Sequence, residues 1–255
     1  MSDQQNSAGL ARLVSIMRRL RDPETGCEWD SVQDFGTIAP YTIEEAYEVA
    51  DAIARGDMAD LAEELGDLQL QVIFHSVMAE EEGAFTLADV FAKISDKMER
   101  RHPHIFGEAE NGGHHLWEEI KAAERKDKAE DESALAGVAL ALPALERAQK
   151  LQKRAARTGF DWPDASGAKA KIHEELAELE EAEGAAHREE ELGDLLFAVV
   201  NLARFLKIDA EEALRKANRK FEKRFRAIEA HPEFAERDLD GKEELWRAAK
   251  LSTAD

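Results

Sequence analysis

Two stretches of the chain set acidic side chains at intervals that place them on one face of a helix. Glu44-Glu45-Ala46-Tyr47-Glu48 is followed by Glu64-Leu65-Gly66-Asp67, and Glu174-Glu175-Leu176-Ala177-Glu178 by Glu191-Leu192-Gly193-Asp194. Residues three or four apart share a helix face, so Glu45 with Glu48, and Glu64 with Asp67, each project the same way, as do their counterparts in the second stretch. Two such helices side by side present four carboxylates. Like charges at that spacing repel by about 0.2–0.5 kcal/mol even on an exposed helix, and by more once water is excluded. A divalent cation between them removes the conflict, and an all-oxygen set favours Mg²⁺, or Mn²⁺, over zinc, for which His or Cys ligands are expected. A lone EExxE is ordinarily a solvated helix face. What carries the metal reading is its recurrence together with ELGD, because Gly66 and Gly193 each cost about 1 kcal/mol relative to alanine inside a helix. The same cost at the same register twice points to the close approach of another backbone or a ligand.

Further groups repeat in the same register. Past the acidic stretch the first copy has a helix start at Thr86, then Lys97, Arg101, Trp117 and Lys121; the second has a start at Asp209, then Lys220, Arg224, Trp246 and Lys250. Thr86 with Asp89, and Asp209 with Glu212, have capping-box spacing, and each lysine follows its cap by eleven residues. Lys220 and Arg224 are one helical turn apart and can act together on an anion, although with Lys216, Arg219, Lys223 and Arg226 in the same segment they read equally well as an ordinary cationic surface. Trp117 and Trp246, each four residues before a lysine, read first as anchors of a terminal helix to its bundle. Asn201 stands seven residues past Asp194, where the first copy has Phe74.

The elements that must position these groups are helices. Leu61, Leu65, Leu68 and Val72 form one apolar stripe and Leu192, Leu195, Val199, Leu202 and Leu206 another, while no segment alternates as a strand does. The polar run Lys126 to Ser133 (KDKAEDES) lacks apolar periodicity and marks the boundary between copies. The expected architecture is all-α, two tandem helical bundles spanning residues 1–130 and 131–255.

Composition narrows the functional classes. The 255 residues hold 55 Asp and Glu against 34 Lys and Arg, a net charge of -21 that is the wrong sign for a general nucleic-acid binder or for docking on an anionic membrane. The 44% apolar content, with 15 Gly and 6 Pro, is that of a folded, helix-rich chain rather than a disordered one. The single Cys27, read as a small buried side chain, fits a reducing compartment. The amino-terminal MSDQQNSAGL has no apolar core of a signal peptide and Ala134 to Leu145 is too short to span a bilayer, so the cytoplasm is the expected location.

EEAYE and ELGD, then RRHPHIF and LWEEIK, then EELAE and ELGD, together resemble the two-domain MazG nucleoside triphosphate pyrophosphohydrolases. WDSVQDFGTIAPY (Trp29 to Tyr41) and GFDWP (Gly159 to Pro163) match the family pattern as well. One departure stands outside the acidic motif, Glu28 where the family usually has proline before tryptophan. The resemblance implies an all-α fold, a homodimer formed through packed helices, Mg²⁺ dependence, and hydrolysis of nucleoside triphosphates to monophosphate and pyrophosphate. Carried over by position, it implies metal ligation by Glu175, Glu178, Glu191 and Asp194, with Glu45, Glu48, Glu64 and Asp67 in the first copy, and nucleotide contacts at Lys220, Arg224, Trp246 and Lys250, repeated at Lys97, Arg101, Trp117 and Lys121. Glu174 and Glu44, adjacent to the ligands, are the candidates for orienting or deprotonating the attacking water. Two rival readings are an oxygen-activating di-iron bundle, for which only Glu99 to His102 has Glu-x-x-His spacing, and a catalytically silent acidic interaction module.

Overall fold

The computed structural model describes residues 3–107, 120 and 133–252. Residue contacts divide the chain into two compact units, Met1–Lys121 and Ala122–Asp255. Of the boundary expected from Lys126 to Ser133, only Ser133 lies among the described residues. Every regular element among those residues is helical.

In the first unit, helix α1 (Asp3–Leu20) leads to a single 3₁₀ turn (Asp30–Val32) and then to α2 (Phe35–Arg55) and α3 (Met58–Glu81). Asp34 opens α2 by accepting from Thr37 N–H at 2.8 Å, and the Thr37 hydroxyl accepts in return from Asp34 N–H at 2.9 Å. Two free helix donors are thereby satisfied. Gly56 closes α2 in the left-handed region at φ 70°, a conformation that favours glycine, and Asp57 immediately caps α3. The result is a tight antiparallel hairpin in which Glu48 and Glu64 stand eight residues either side of Gly56. Leu10, Leu13, Val14 and Met17 of α1 cover the second half of α3, where Ile73, Phe74, Val77 and Met78 are buried together with Ile38 of α2. Thr86 and Asp89 form the expected capping box at the start of α4 (Leu87–Arg101), and Pro103 begins the short α5 (Pro103–Phe106).

The second unit repeats the hairpin. After α6 (Ala144–Ala156), Asp164 caps α7 (Ala165–Glu181), and a short turn with Gly184 at φ 83° leads into α8 (Ala185–Phe205). Asp209 then caps α9 (Ala210–Glu229) by accepting from Glu212 N–H at 2.9 Å, and α10 (Leu239–Ser252) returns along it. The core here consists largely of small side chains, Ala168, Ala182, Ala198 and Val200, and α6 is tied down by buried amides. Gln149 donates to the Ile208 carbonyl at 2.9 Å and Gln152 to that of Phe197 at 2.8 Å. An aromatic cluster joins α9 to α10, with Phe221 and Trp246 ring centroids 5.2 Å apart.

The expected apolar stripes are only partly covered within one chain. Leu65, Leu192 and Val199 remain 49%, 48% and 45% exposed, and Leu196 50%. Cys27 is half-buried rather than buried. None of the described helices is long and apolar enough to cross a membrane.

Candidate active site: two carboxylate trios

Each hairpin brings three of the expected acids together. Glu45 and Glu48 on α2 meet Glu64 on α3, and Glu175 and Glu178 on α7 meet Glu191 on α8; in each trio one carboxylate oxygen per residue lies within 4.8 Å of the others. Asp67 and Asp194, one turn further along α3 and α8, are exposed and stand outside the trios. Asp67 still acts on its trio through its charge. Desolvation, then Asp67 and Glu48, hold the Glu45 carboxyl above the usual carboxylate range, and desolvation with Glu48, Asp60 and Asp67 does the same to Glu64. Glu178 is raised by desolvation and by Glu175. These are groups held together against their own repulsion, the condition that a hard divalent cation relieves.

The donor set fits such an ion. Oxygens bound to one octahedral Mg²⁺ at about 2.1 Å lie roughly 3–4 Å apart, so small side-chain rotations close either trio around a metal. Among the described residues the di-iron alternative gains no support, because Glu99 and His102 join no cluster of side chains that could hold a metal.

The trios differ in one charge that the sequence reading missed. Lys171 Nζ stands 2.5 Å from Glu175 Oε1 and 2.8 Å from Glu174 Oε1, which pushes the lysine pKa up. The register that matches Glu175 to Glu45 matches Lys171 to Tyr41, so the first trio lacks this cation. Tyr41 instead meets the Trp29 ring edge-on at 6.0 Å. The signal was present in the sequence, since Lys171 precedes Glu175 by one helical turn. His187 Nε2, 3.1 Å from Glu191 Oε1, is a second neighbour of the C-terminal trio. Glu174 and Glu44 are both exposed, and Glu174 is engaged with Lys171.

The expected nucleotide-contacting residues lie on other helices. Lys97 and Arg101 are half-buried on α4; Lys220 is exposed and Arg224 half-buried on α9; Trp246 on α10 is half-buried against Phe221, and Lys250 is exposed. Among the described residues no ion pair links Lys97, Lys220 or Lys250 to a carboxylate trio. Trp117 and Lys121 lie outside the described residues.

Of the two causes expected for the helical glycines, another backbone or a ligand, the described chain supplies no backbone. A Cβ built on Gly66 or Gly193 meets nothing within 4 Å, so no part of the described chain crowds them, and a close approach there has to come from a ligand or a second copy. Crowding occurs instead at Gly167 in the first turn of α7, where a Cβ would stand 2.3 Å from Cγ of Trp162. That glycine leaves room for the Trp162 ring against the first turn of the helix that carries Glu175 and Glu178.

Phe74 and Asn201 also part company. Phe74 is sealed in the core with the Arg21 guanidinium 5.3 Å from its ring centroid, whereas Asn201 is half-buried and accepts from Arg204 Nε at 2.8 Å.

Residues 33–106 and 167–228 match the MazG nucleotide pyrophosphohydrolase domain family, once in each unit. The chain is 54% identical over 258 aligned residues to the nucleoside triphosphate pyrophosphohydrolase of Escherichia coli (strain K12), an alignment covering 96% of this chain and 98% of that protein. It is 46% identical to the nucleoside triphosphate pyrophosphohydrolase/pyrophosphatase MazG of Thermotoga maritima, over 93% of this chain and 94% of that protein. Similarity to the nucleoside triphosphate pyrophosphohydrolase of Mycobacterium tuberculosis, at 36%, covers 62% of this chain and 48% of that protein.

Proposed function

The chain belongs to the MazG nucleotide pyrophosphohydrolase family, and from that premise we propose that it hydrolyses nucleoside triphosphates to the monophosphate and pyrophosphate at the Glu175–Glu178–Glu191 site. The observation that carries the placement is this trio, assembled from two helices and accompanied by Lys171. Residues 1–130 and 131–255 act as two domains of one enzyme, with Asp194 and, in the first copy, Glu45, Glu48, Glu64 and Asp67 completing the metal-ligand sets.

The chemistry starts from charge. A triphosphate with about four negative charges cannot approach three carboxylates unaided. Mg²⁺, with Mn²⁺ as a substitute, is the fitting cation, and when bound it supplies charge neutralisation and a bound water of lowered pKa. Glu175, Glu178 and Glu191 hold it, and Lys171 adds a fixed positive charge beside them. Glu174, one residue from Glu175, orients or deprotonates the attacking water once its bond to Lys171 is exchanged for one between Lys171 and phosphate. Lys220 and Arg224 neutralise the outer phosphates, with Trp246 and Lys250 at the nucleotide; Lys97, Arg101, Trp117 and Lys121 are their counterparts in the first copy.

The working enzyme is a homodimer. Leu192, Leu196 and Val199 are about half exposed at spacings of four and three residues along α8, an apolar face that a second copy of the same helix can cover. The net charge of -21 keeps nucleic acid and anionic membranes away, and a cytoplasmic, broad-specificity role in clearing the nucleotide pool fits the rest.

Incubation of the purified protein with a panel of nucleoside triphosphates and Mg²⁺, followed by chromatographic separation of products, tests the reading. Monophosphate with pyrophosphate supports it; diphosphate with orthophosphate rejects it.

A further inference from the structure

In the second unit the loop before α7 is fastened to the end of α8. The Asp161 carboxylate accepts from both terminal nitrogens of Arg204, at 2.9 and 2.5 Å, and the pair is well covered, with side chains 24% and 11% exposed. A two-pronged, partly desolvated pair of this kind is strong and directional. Arg204 holds Asp161 well below the usual carboxylate range. The third guanidinium donor, Nε, goes to Asn201 Oδ1 at 2.8 Å, one turn back toward the carboxylates.

This arrangement fixes the orientation of an amide. Arginine offers only donors, so the Asn201 atom facing it has to be the carbonyl oxygen. The Asn201 N–H groups then point away from Arg204, take no partner among the described residues, and are not closed off from solvent. Seven residues separate Asn201 from Asp194, 20° short of two full turns, so the two share a face with their Cα atoms about 10 Å apart along the helix. Glu191, the trio's member on α8, lies a further turn back, about 15 Å from Asn201 along the helix, a distance that an extended nucleoside triphosphate with its phosphates at the trio covers.

The first unit lacks every part of this device. Phe74 replaces Asn201 and is 3% exposed; Val77 replaces Arg204 and is 4% exposed; Glu28, before Trp29 as Asp161 is before Trp162, is exposed without an ion pair among the described residues.

We propose that Asp161 and Arg204 are positioning residues that hold the Asn201 amide so that its N–H donates to an oxygen of the substrate's nucleoside half, either a base carbonyl or a sugar hydroxyl. The proposal rests on the pyrophosphohydrolase reading and assigns the C-terminal site its nucleoside-recognising group. A merely structural tie between loop and helix would need Asp161 and Arg204 but not Asn201.

The test uses the full chain with Mg²⁺, measuring pyrophosphate release from ribo- and deoxyribonucleoside triphosphates, with inorganic tripolyphosphate as a competitor that has no nucleoside. Asn201→Ala raises KM for nucleoside triphosphates about tenfold, the worth of one hydrogen bond whose partner is stranded. In that variant kcat changes less than KM, and the inhibition constant of tripolyphosphate stays put. Asp161→Asn and Arg204→Lys shift KM the same way by smaller factors, because the amide remains but is no longer pinned. A KM increase confined to ribonucleotides identifies the sugar 2′-hydroxyl; an equal increase with deoxyribonucleotides that disappears with 2′,3′-dideoxyribonucleotides identifies the 3′-hydroxyl, and one that persists with them identifies the base. An unchanged KM in Asn201→Ala, or parallel rises in nucleotide KM and tripolyphosphate inhibition constant, overturns the proposal. If Asn201→Ala loses helix content by circular dichroism, Asp161→Asn decides by the same criterion. Failure of the underlying reading shows earlier and separately, as wild-type protein that yields no pyrophosphate.

Discussion

Lys171 reaches Glu175 at 2.5 Å in the C-terminal trio, whereas the matching position in the N-terminal trio is Tyr41, whose ring is turned to Trp29. The two lobes thus share a carboxylate frame and differ in the charge placed beside it. A lysine next to a metal-binding carboxylate has two competing effects. It weakens metal binding in the absence of substrate, and it favours the arrival of phosphate.

Lys171→Met should therefore separate the two effects. Turnover at saturating Mg²⁺ is expected to fall about tenfold or more, while the Mg²⁺ concentration for half-maximal activity stays the same or drops. A rise in that concentration matching the loss of turnover would show that Lys171 only holds Glu175 in place for the metal.

Metal dependence itself has a plain signature. Chelator should abolish activity and Mg²⁺ or Mn²⁺ restore it, and Glu175→Gln or Asp194→Asn should lower C-terminal turnover by roughly two orders of magnitude, since each removes a ligand charge at nearly constant shape. Asp194 is the stricter case, because it stands outside the trio. Full activity in Asp194→Asn, with the first trio disabled, would remove it from the ligand set.

Stability without metal should respond in the opposite sense. The Glu45 carboxyl has its folded pKa raised above 4.5, so its stabilising contribution is complete below about pH 4 and is lost as pH climbs through the raised value. The trio is then a liability at neutral pH until a cation arrives. Glu45→Gln is expected to raise the metal-free Tm of the N-terminal lobe by roughly 1–3 °C near pH 7, to leave it unchanged near pH 4, and to shrink the Tm increase produced by Mg²⁺. Scanning calorimetry at both pH values, with and without Mg²⁺, checks all three; a lower metal-free Tm at neutral pH would mean that the carboxylate is paired rather than repelled.

Much of this was legible in the sequence and the rest was not, for identifiable reasons. Local rules held: the Thr86 and Asp89 capping box forms as spaced, and two EExxE segments followed by ELGD become two trios. Lys171 stands one turn before Glu175 in the sequence too, but a lysine at that spacing is ordinarily a surface ion pair and signals no site by itself. No described backbone crowds Gly66 or Gly193, which leaves a ligand or a second copy as the expected close approach, whereas Gly167 carries a tertiary constraint set by Trp162. No periodicity announces that contact. Arg204 and Asp161 are 43 residues apart, so their pairing had no local spacing to reveal it.

Assembly follows from the faces that one chain leaves uncovered. Light scattering should return twice 28.5 kDa, and Leu196→Glu, placed at the centre of the exposed Leu192, Leu196 and Val199 stripe, should shift the protein toward the monomer. A mass of 28.5 kDa at every working concentration of the wild-type protein would exclude the homodimer.

The central claim, that the C-terminal trio does most of the hydrolysis, is tested most directly by initial rates of pyrophosphate release from two double variants. Lys171, the pinned Asn201 amide and the trio occur together only in the C-terminal lobe, and turnover demands the near-attack geometry that such positioning supplies. Glu175→Gln with Glu178→Gln is expected to remove most of the activity, and Glu45→Gln with Glu48→Gln to leave most of it. Equal losses in the two, with dimer mass and helix content intact in each, would contradict the account.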